Sequence, residues 1–486
     1  MSVICFENVC YMYPRSNKFA LEGIQLSVME GEFLAVMGEN GAGKSTFCKL
    51  INGIIPHLTG GRLSGTVTVD GKQTDKLSVP ELALKVGMVL DDPDAQLFTS
   101  TVRDEAAFGA ENILLPPQEI KQRVKFALNA VGLDGFEERM PSTLSGGEKQ
   151  RLAIAAALAM NGKILVLDEP LCRLDCNGTR EVMSVLKDIR QKYGVTVIMA
   201  AHNSGMMAEY ADRVCVLNNG HITALDTAKN IFADNALTER NGIEPAANNH
   251  KGNNGSRIQR NISLNTAVNR SEAVLIKDFS FTYPGGVSIE NINLSIADND
   301  FAAIIGDNGC GKTTLLKSIT GLLHPSAGDI FIRGRNTKEL SVSEISKEAG
   351  FVMQNPDTQL FTDSVYKEAA FALKNMRLSK AEIKQRVENA LKTAGLDDPD
   401  AFPHALSREN RTRTVIACVL AMGCRIIIFD EADAGNDYKS SLKIMNIAKE
   451  LHSKGFTIIF VTHNMSLAGE YAHRLIKMER KRILEL

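Results

Sequence analysis

Neither charge sign dominates this sequence: 55 lysines and arginines stand against 57 aspartates and glutamates. A net charge of -2 provides no broad positive field for DNA or RNA, so nucleic acid is not an expected partner. Long apolar runs are missing as well. Stretches such as Ile164 to Leu167 and Ile426 to Phe429 fall far short of the roughly 20 residues that a membrane-spanning helix needs. The chain is therefore not expected to cross a bilayer by itself. The opening MSVICFENVC lacks a positively charged start followed by an apolar core, and no lipidation motif or basic amphipathic helix is evident. Any membrane association is accordingly expected to come through a partner. The 9 cysteines form no CxxC pair and no regular framework, which fits reduced thiols better than disulfides or a zinc site.

What the sequence does contain is one unit written twice. Tyr13-Pro14 returns as Tyr283-Pro284, and GENGAGKST at Gly38 to Thr46 returns as GDNGCGKTT at Gly306 to Thr314. DPDAQLF from Asp92 answers to NPDTQLF from Asn355, VLDEP from Val166 to IFDEA from Ile428, and AAHN ending at Asn203 to VTHN ending at Asn464. The order and near-constant offset divide the chain into a first copy at 1–235 and a second at 273–486. Between them, 236–272 is polar and Asn/Gly-rich without a sustained apolar period, and reads as a flexible linker. A coil of that length spans about 30 Å on random-coil scaling, enough to let the two copies face each other.

In each copy a short apolar run leads into the glycine loop and then into a helical segment: Phe33 to Met37 before a helix at Thr46 to Ile51, and Phe301 to Ile305 in the second. Strand, phosphate loop and helix in that order are the setting a P-loop requires. Its glycines permit the tight turn and its backbone N–H groups converge at a helix start, where phosphate binds. The loop residues Gly38, Asn40, Gly41, Gly43, Lys44, Ser45 and Thr46, with Gly306, Asn308, Gly309, Gly311, Lys312, Thr313 and Thr314, are the candidate nucleotide ligands. Lys44 and Lys312 would neutralise the β- and γ-phosphates, and Ser45 and Thr313 would bind Mg²⁺. Asp168 and Asp430, each ending an apolar strand, are placed to hold the same ion, and Glu169 and Glu431 to polarise the attacking water. β-Branched runs at Ile164 to Leu167 and Val195 to Met199 predict further buried strands of an α/β sheet, and a helix-rich insert is expected from about Val102 to Leu158.

LSGGEKQR, Leu144 to Arg151, precedes the helical LAIAAALAM. Lying between a P-loop and VLDEP, with His202 later, it resembles the ATP-binding cassette ATPases, and the resemblance covers nearly the whole chain apart from the linker. It implies two P-loop NTPase domains, each a RecA-like core with a helical subdomain and an antiparallel β subdomain, hydrolysing ATP. The resemblance gives Tyr13 and Tyr283 adenine stacking, His202 and His463 γ-phosphate sensing, and Gln354 a place beside the metal and water. It also implies head-to-tail pairing, in which Ser145, Gly146 and Gly147 of one copy meet the ATP held by the P-loop of the other. QNPDTQLF from Gln354, its altered partner DDPDAQLF, and FGAENILLPPQEIKQRV from Phe108 are similar to the ATPase subunits of energy-coupling-factor importers of vitamins and metals. That likeness implies a transmembrane coupling subunit, a separate substrate-binding membrane subunit, and a position on the cytoplasmic face of the membrane.

The copies depart from the pattern in complementary ways. Asp91 stands where the second copy has Gln354, and LSRENRTR from Leu406 stands where the first has LSGGEKQR. Pairing within one chain would then unite Lys312, Thr313, Gln354, Asp430, Glu431 and His463 with Ser145, Gly146 and Gly147 in one intact site. The other site would join Lys44, Ser45, Asp91, Asp168, Glu169 and His202 to Ser407, Arg408 and Glu409, with Glu409 expected to carry a carboxylate towards the γ-phosphate. Two other functions compete: a soluble cassette ATPase acting on ribosomes or DNA, and a nucleotide-dependent regulatory binder without useful turnover.

Overall fold

The computed structural model describes residues 1–172, 174–245, 271–284, 286, 288–376, 378–479 and 482–485. The chain forms two compact units, one before and one after the undescribed segment 246–270.

In the first unit the apolar run Phe33–Met37 is a wholly buried strand at the heart of a six-stranded sheet. It pairs in parallel with Thr196–Ala200 and Arg213–Asn218; the sheet continues through Ile164–Asp168 to Val86–Val89, and an antiparallel strand, His221–Thr227, closes the other edge. Alternation along the central strand divides the core. Leu34 and Val36 face Ile4, Phe6 and Val67 of an antiparallel sheet formed by Ser2–Met12, Leu21–Met29, Arg62–Val69 and Lys72–Gln73, whereas Phe33, Ala35 and Met37 face the opposite helical layer. Burying one such side chain contributes roughly 1.5–3 kcal/mol, so a one-residue slip of this strand would be heavily opposed. The helical insert consists of Val102–Asn112, Pro117–Ala130 and Gly146–Ala159, packed on one another. Its second helix starts at Pro117, where a missing N–H costs nothing.

The second unit follows the same plan. Its six-stranded sheet runs Ala349–Val352, Ile426–Asp430, Thr457–Val461, Phe301–Ile305, Arg474–Glu479 and Arg482–Glu485, and the four-stranded sheet runs Ser288–Ala297, Glu272–Thr282, Ala327–Ile332 and Arg335–Asn336. Helices Val365–Asn375, Lys380–Ala394 and Arg408–Met422 form the insert around Val365, Leu373, Val387 and Ala417.

The linker assignment needs trimming at its beginning. Asn235–Arg240 is a helix whose N-cap Asp234 accepts from the Leu237 N–H, and Thr238, Asn241 and Ile243 are buried. Polar composition hid this element, although an aspartate N-cap before Ala-Leu was a readable start signal. Glu272 opens a strand, while the middle of the assigned linker lies outside the described residues. Among the described residues no helix is long and apolar enough to cross a membrane.

Candidate nucleotide site

Each P-loop leaves the end of a buried central strand and curls back under its neighbour. A Cβ at Gly38 would lie 2.1 Å from the Leu217 carbonyl oxygen, and one at Gly306 would lie 2.2 Å from that of Met478, so glycine is required for the turn to pass. The loop ends in helices Lys44–Ile51 and Lys312–Ile319, whose N-caps Gly43 and Gly311 carry no side-chain cap. Their first N–H groups therefore remain for an external anion, and the helix macrodipole favours a phosphate there. Gly41 and Gly309 border open space, and Asn40 and Asn308 are exposed along the same turns.

Lys44 and Lys312 are buried amines that thread back over the loop. Lys44 Nζ donates to the Gly38 and Glu39 carbonyls, both at 3.1 Å, and Lys312 Nζ to those of Gly306 at 2.8 Å and Asp307 at 3.1 Å. The amines lie 3.4 Å from Glu169 and 3.7 Å from Glu431, respectively. Such a buried cation is poised to exchange carbonyl dipoles for phosphate oxygens.

The adjoining hydroxyls and carboxylates meet in pairs. Ser45 Oγ donates to Asp168 Oδ1 at 2.9 Å, and Thr313 Oγ1 to Asp430 Oδ1 at 3.2 Å. Burial raises the carboxyl of Asp168 and pushes that of Asp430 up to about 6. A hydroxyl beside a poorly solvated carboxylate is a hard-oxygen donor set that fits Mg²⁺ completed by phosphate oxygens and water. Among the described residues no group of three or more His, Cys, Asp and Glu could enclose a metal alone.

Directly after these aspartates the backbone turns sharply. Glu169 and Glu431 have φ of 50 and 49, a left-handed conformation uncommon for a residue with a side chain. Their N–H groups donate to the Ala200 and Val461 carbonyls, both at 3.0 Å. His202 Nε2 lies 2.9 Å from Glu169 Oε1, and His463 Nε2 lies 2.8 Å from Glu431 Oε1. Each buried Nε2 thus lies against the glutamate carboxylate, where an incoming phosphate oxygen could compete for it. Burial opposes ionisation of Glu169, but His202 and Lys44 overcome it and draw the carboxyl down to about 2; His463 and Lys312 similarly lower Glu431 against its burial. Both glutamates are thus carboxylates at neutral pH, able to accept a hydrogen bond from water. The strained backbone was not visible in the DE dipeptide itself.

Tyr13 and Tyr283 stand by the start of these helices, with their hydroxyls 3.0 Å from Thr46 Oγ1 and Thr314 Oγ1. Ser145, by contrast, is exposed and caps its own helix: its Oγ accepts from the Glu148 N–H at 3.3 Å, and its N–H donates to Glu148 Oε2 at 2.7 Å. Gly146 and Gly147 form the next residues of that helix. Cys310 packs under its loop, with its thiol pushed up by burial.

Two matched glutamates lie outside the motifs. Glu105 Oε2 accepts from the N–H groups of Phe98 at 3.0 Å and Thr99 at 2.8 Å; Glu368 Oε2 does the same for Phe361 at 3.0 Å and Thr362 at 2.7 Å. Gln96 bonds Leu90 N–H and the Met88 carbonyl, and Gln359 bonds Met353 N–H and the Phe351 carbonyl. The repeated EAAF at Glu105 and Glu368 was the available signal.

A profile described as ABC transporter matches residues 21–172 and 289–434. The chain belongs to the ABC transporter family. An ABC transporter ATP-binding protein of Caldanaerobacter subterraneus subsp. tengcongensis is 36% identical over 516 residues, covering 99% of this chain and 90% of that protein. A similarly named protein of Methanosarcina mazei is 34% identical over 521 residues, covering 99% of this chain and 88% of its own. Among solved structures, cbiO1 from Clostridium perfringens, part of the ABC transporter complex cbiONQ, is 34% identical with a TM-score of 0.45, covering 49% of this chain and 94% of its own. This ABC transporter protein is an ATP-binding ATPase.

Its two halves differ beside these acidic pairs. In the second, Gln354 Nε2 donates to Glu431 Oε2 at 2.8 Å. The first half has the acceptor-only carboxylate of Asp91 at that position, and Asp91 helps raise the carboxyl of Asp168. The altered signature of this ABC ATPase also corrects an expectation. Glu409 does not extend towards a phosphate: it is buried, accepts from Ser440 Oγ at 2.9 Å, and pairs with Lys443 at 3.0 Å and Arg413 at 3.2 Å. Placing a carboxylate next to two cations outweighs the alternative of facing another anion. Arg408 donates to the Gln354 carbonyl at 3.1 Å and lies over Gly435.

Proposed function

We propose that this ATPase is the energy-coupling subunit of an energy-coupling-factor type importer of a vitamin, metal ion or other small solute. The observation that carries the reading is the QNPDTQLF segment, Gln354 to Phe361, with its relative DDPDAQLF in the first half. Each segment ends in an exposed aromatic held edge-to-face by a second one: Phe98 on Phe108 and Phe361 on Phe371, both at 4.7 Å between ring centroids. Paired exposed aromatics anchored by buried glutamates suit docking of a transmembrane coupling subunit, which in turn holds the substrate-binding membrane subunit. The protein then works at the cytoplasmic face of the membrane, held there by its partners.

Hydrolysis is assigned chiefly to the second-half motifs. Lys312 and the loop N–H groups bind the phosphates, Thr313 and Asp430 hold Mg²⁺ with Gln354 alongside, Glu431 accepts from the attacking water, and His463 steadies the γ-phosphate. Mg²⁺ supplies charge neutralisation of the phosphates when bound. Head-to-tail pairing within one chain adds Ser145, Gly146 and Gly147 to this set, while Lys44, Ser45, Asp168, Glu169 and His202 form the weaker site opposite the LSREN sequence. This assignment rests on the complementary distribution of Gln354 and LSGG between the halves.

Affinity purification of the tagged chain from detergent-solubilised native membranes tests the proposal. Two kinds of integral membrane protein are expected to accompany it, and Phe361→Ala combined with Phe98→Ala to release them while leaving the chain folded. Co-purification with ribosomes and no membrane protein would overturn it.

A further inference from the structure

The loop that follows Glu431 carries another carboxylate, one that the nucleotide chemistry above leaves unused. Asp433 Oδ2 accepts from Thr462 Oγ1 at 2.6 Å, and that hydroxyl accepts in turn from the Asn464 N–H at 2.9 Å. Thr462 is completely buried, and its own N–H points to the Ile304 carbonyl at 3.4 Å, on the strand that feeds the P-loop. Thr462 immediately precedes His463. The loops bearing Glu431 and His463 are consequently joined twice, by the Glu431 N–H on the Val461 carbonyl and by Asp433 on Thr462.

The first half lacks the second connection. Leu171 and Ala201 occupy the matching positions; Ala201 belongs to the apolar core and the half-buried Leu171 packs against it, and neither side chain can hydrogen-bond. The difference coincides with the difference between Gln354 and Asp91, so both polar contacts to this region fall in the same half.

Stability alone does not account for Asp433. Its Oδ1 is buried and meets no side-chain donor among the described residues, its own backbone N–H being the nearest help. Burial pushes the carboxyl up to about 6, Thr462, its own backbone N–H and His463 pull the other way, and Glu431 adds like-charge repulsion. An unmatched buried oxygen is a destabilising feature, and such features concentrate where geometry matters more than stability.

We propose that Asp433 is a positioning residue for ATP hydrolysis in the second half, fixing the loop of His463 against the loop of Glu431 through Thr462. This rests on the assignment of turnover to the second-half motifs. His463 and Glu431 meet at 2.8 Å, and both must face the same γ-phosphate and water; a slack connection between their loops would let that geometry drift.

Steady-state ATP hydrolysis by the full chain tests the proposal. Thr462→Val removes the hydroxyl but keeps the shape, and Asp433→Leu copies the first half. Each is expected to lower kcat about tenfold while the KM for ATP stays within about twofold, since the ground-state phosphate contacts are untouched. Thr462→Ser and Asp433→Asn preserve the hydrogen bond and should remain within about threefold of the parent. If Asp433→Leu fails to fold, Thr462→Val carries the test, with retained thermal stabilisation by ATP certifying a folded, binding-competent chain. Parental kcat in a folded Thr462→Val protein overturns the inference, as does equal loss in the Val and Ser variants. Glu431→Gln separates the two readings: if it hydrolyses ATP like the parent, the second-half assignment falls and takes this inference with it. If it is inactive while Thr462→Val is normal, only the present inference falls.

Discussion

Gln354→Asp gives the second half the residue of the first, and its effect can be worked from one contact. The Gln354 amide donates to Glu431 at 2.8 Å. A hydrogen bond to a charged group contributes about 1.5–3 kcal/mol net, and because Gln354 is exposed the lower end applies. About 1.5 kcal/mol corresponds to roughly a tenfold fall in kcat if the contact positions the carboxylate in the transition state. Aspartate also brings a like charge, which deepens the loss. The reciprocal change, Asp91→Gln, should leave turnover within about twofold. Hydrolysis would be measured at saturating ATP and at the lowest Mg²⁺ that saturates the parent, and then with Mg²⁺ raised tenfold. Rescue by excess Mg²⁺ would trace the defect to metal binding, whereas a persistent defect traces it to Glu431. A Gln354→Asp chain within twofold of the parent would refute the reasoning, and so would a larger change for Asp91→Gln than for Gln354→Asp.

Glu431→Gln should lower kcat by roughly 10²- to 10³-fold and Glu169→Gln by much less, with Ser145→Arg adding little to Glu431→Gln if both serve one site; additive losses would count against pairing within the chain. Glu169, held at about 2 instead of 4.5, contributes stability that is complete above its ordinary value and lost as pH falls towards 2. The melting-temperature difference between parent and Glu169→Gln should therefore shrink as pH is lowered from about 5 to about 3, and a constant difference would contradict the ion-pair account. Gly311→Ala places a Cβ 2.4 Å from Ile289 Cδ1 at a φ of 106, so it should reduce stabilisation by ATP in a thermal-shift assay to the share that the first-half loop supplies; an unchanged shift would show that the loop has another conformation. Mass spectrometry after brief alkylation should find Cys176, which is exposed, modified well before Cys310, which is buried with a raised thiol pKa; early loss of the Cys310 thiol would show that its loop opens.

The parts of the site that could be read from sequence share one property: their spacing is local. The P-loops, the Asp-Glu pairs and the histidines each sit at a strand end, and repetition in two copies separated them from coincidence. Glu409 was misread because its orientation depends on Lys443 and Ser440, more than 30 positions away, which no signature motif contains. Asp433 and Thr462 were likewise invisible as a pair, being 29 positions apart and joined only when two parallel strands lie side by side. The core strands were legible through their unbroken apolar runs. The helix Asn235–Arg240 was not, because its burial rests on Thr238 and Asn241 rather than on an apolar stripe.

The segments between Gln354 and Thr362 and between Asp91 and Thr99 have a mechanical side. Each is pinned near its start by a glutamine amide and at its end by a buried glutamate, so it behaves as a short stiff rod and not as a slack tether. On the proposed docking of a membrane partner, force on the exposed Phe361 ring would be carried towards the other end, where Gln354 donates to Glu431. The same rod in the first half ends at Asp91, which has no amide with which to grip. One duplicated design thus yields two segments of equal length, the second ending on an amide donor and the first on a carboxylate.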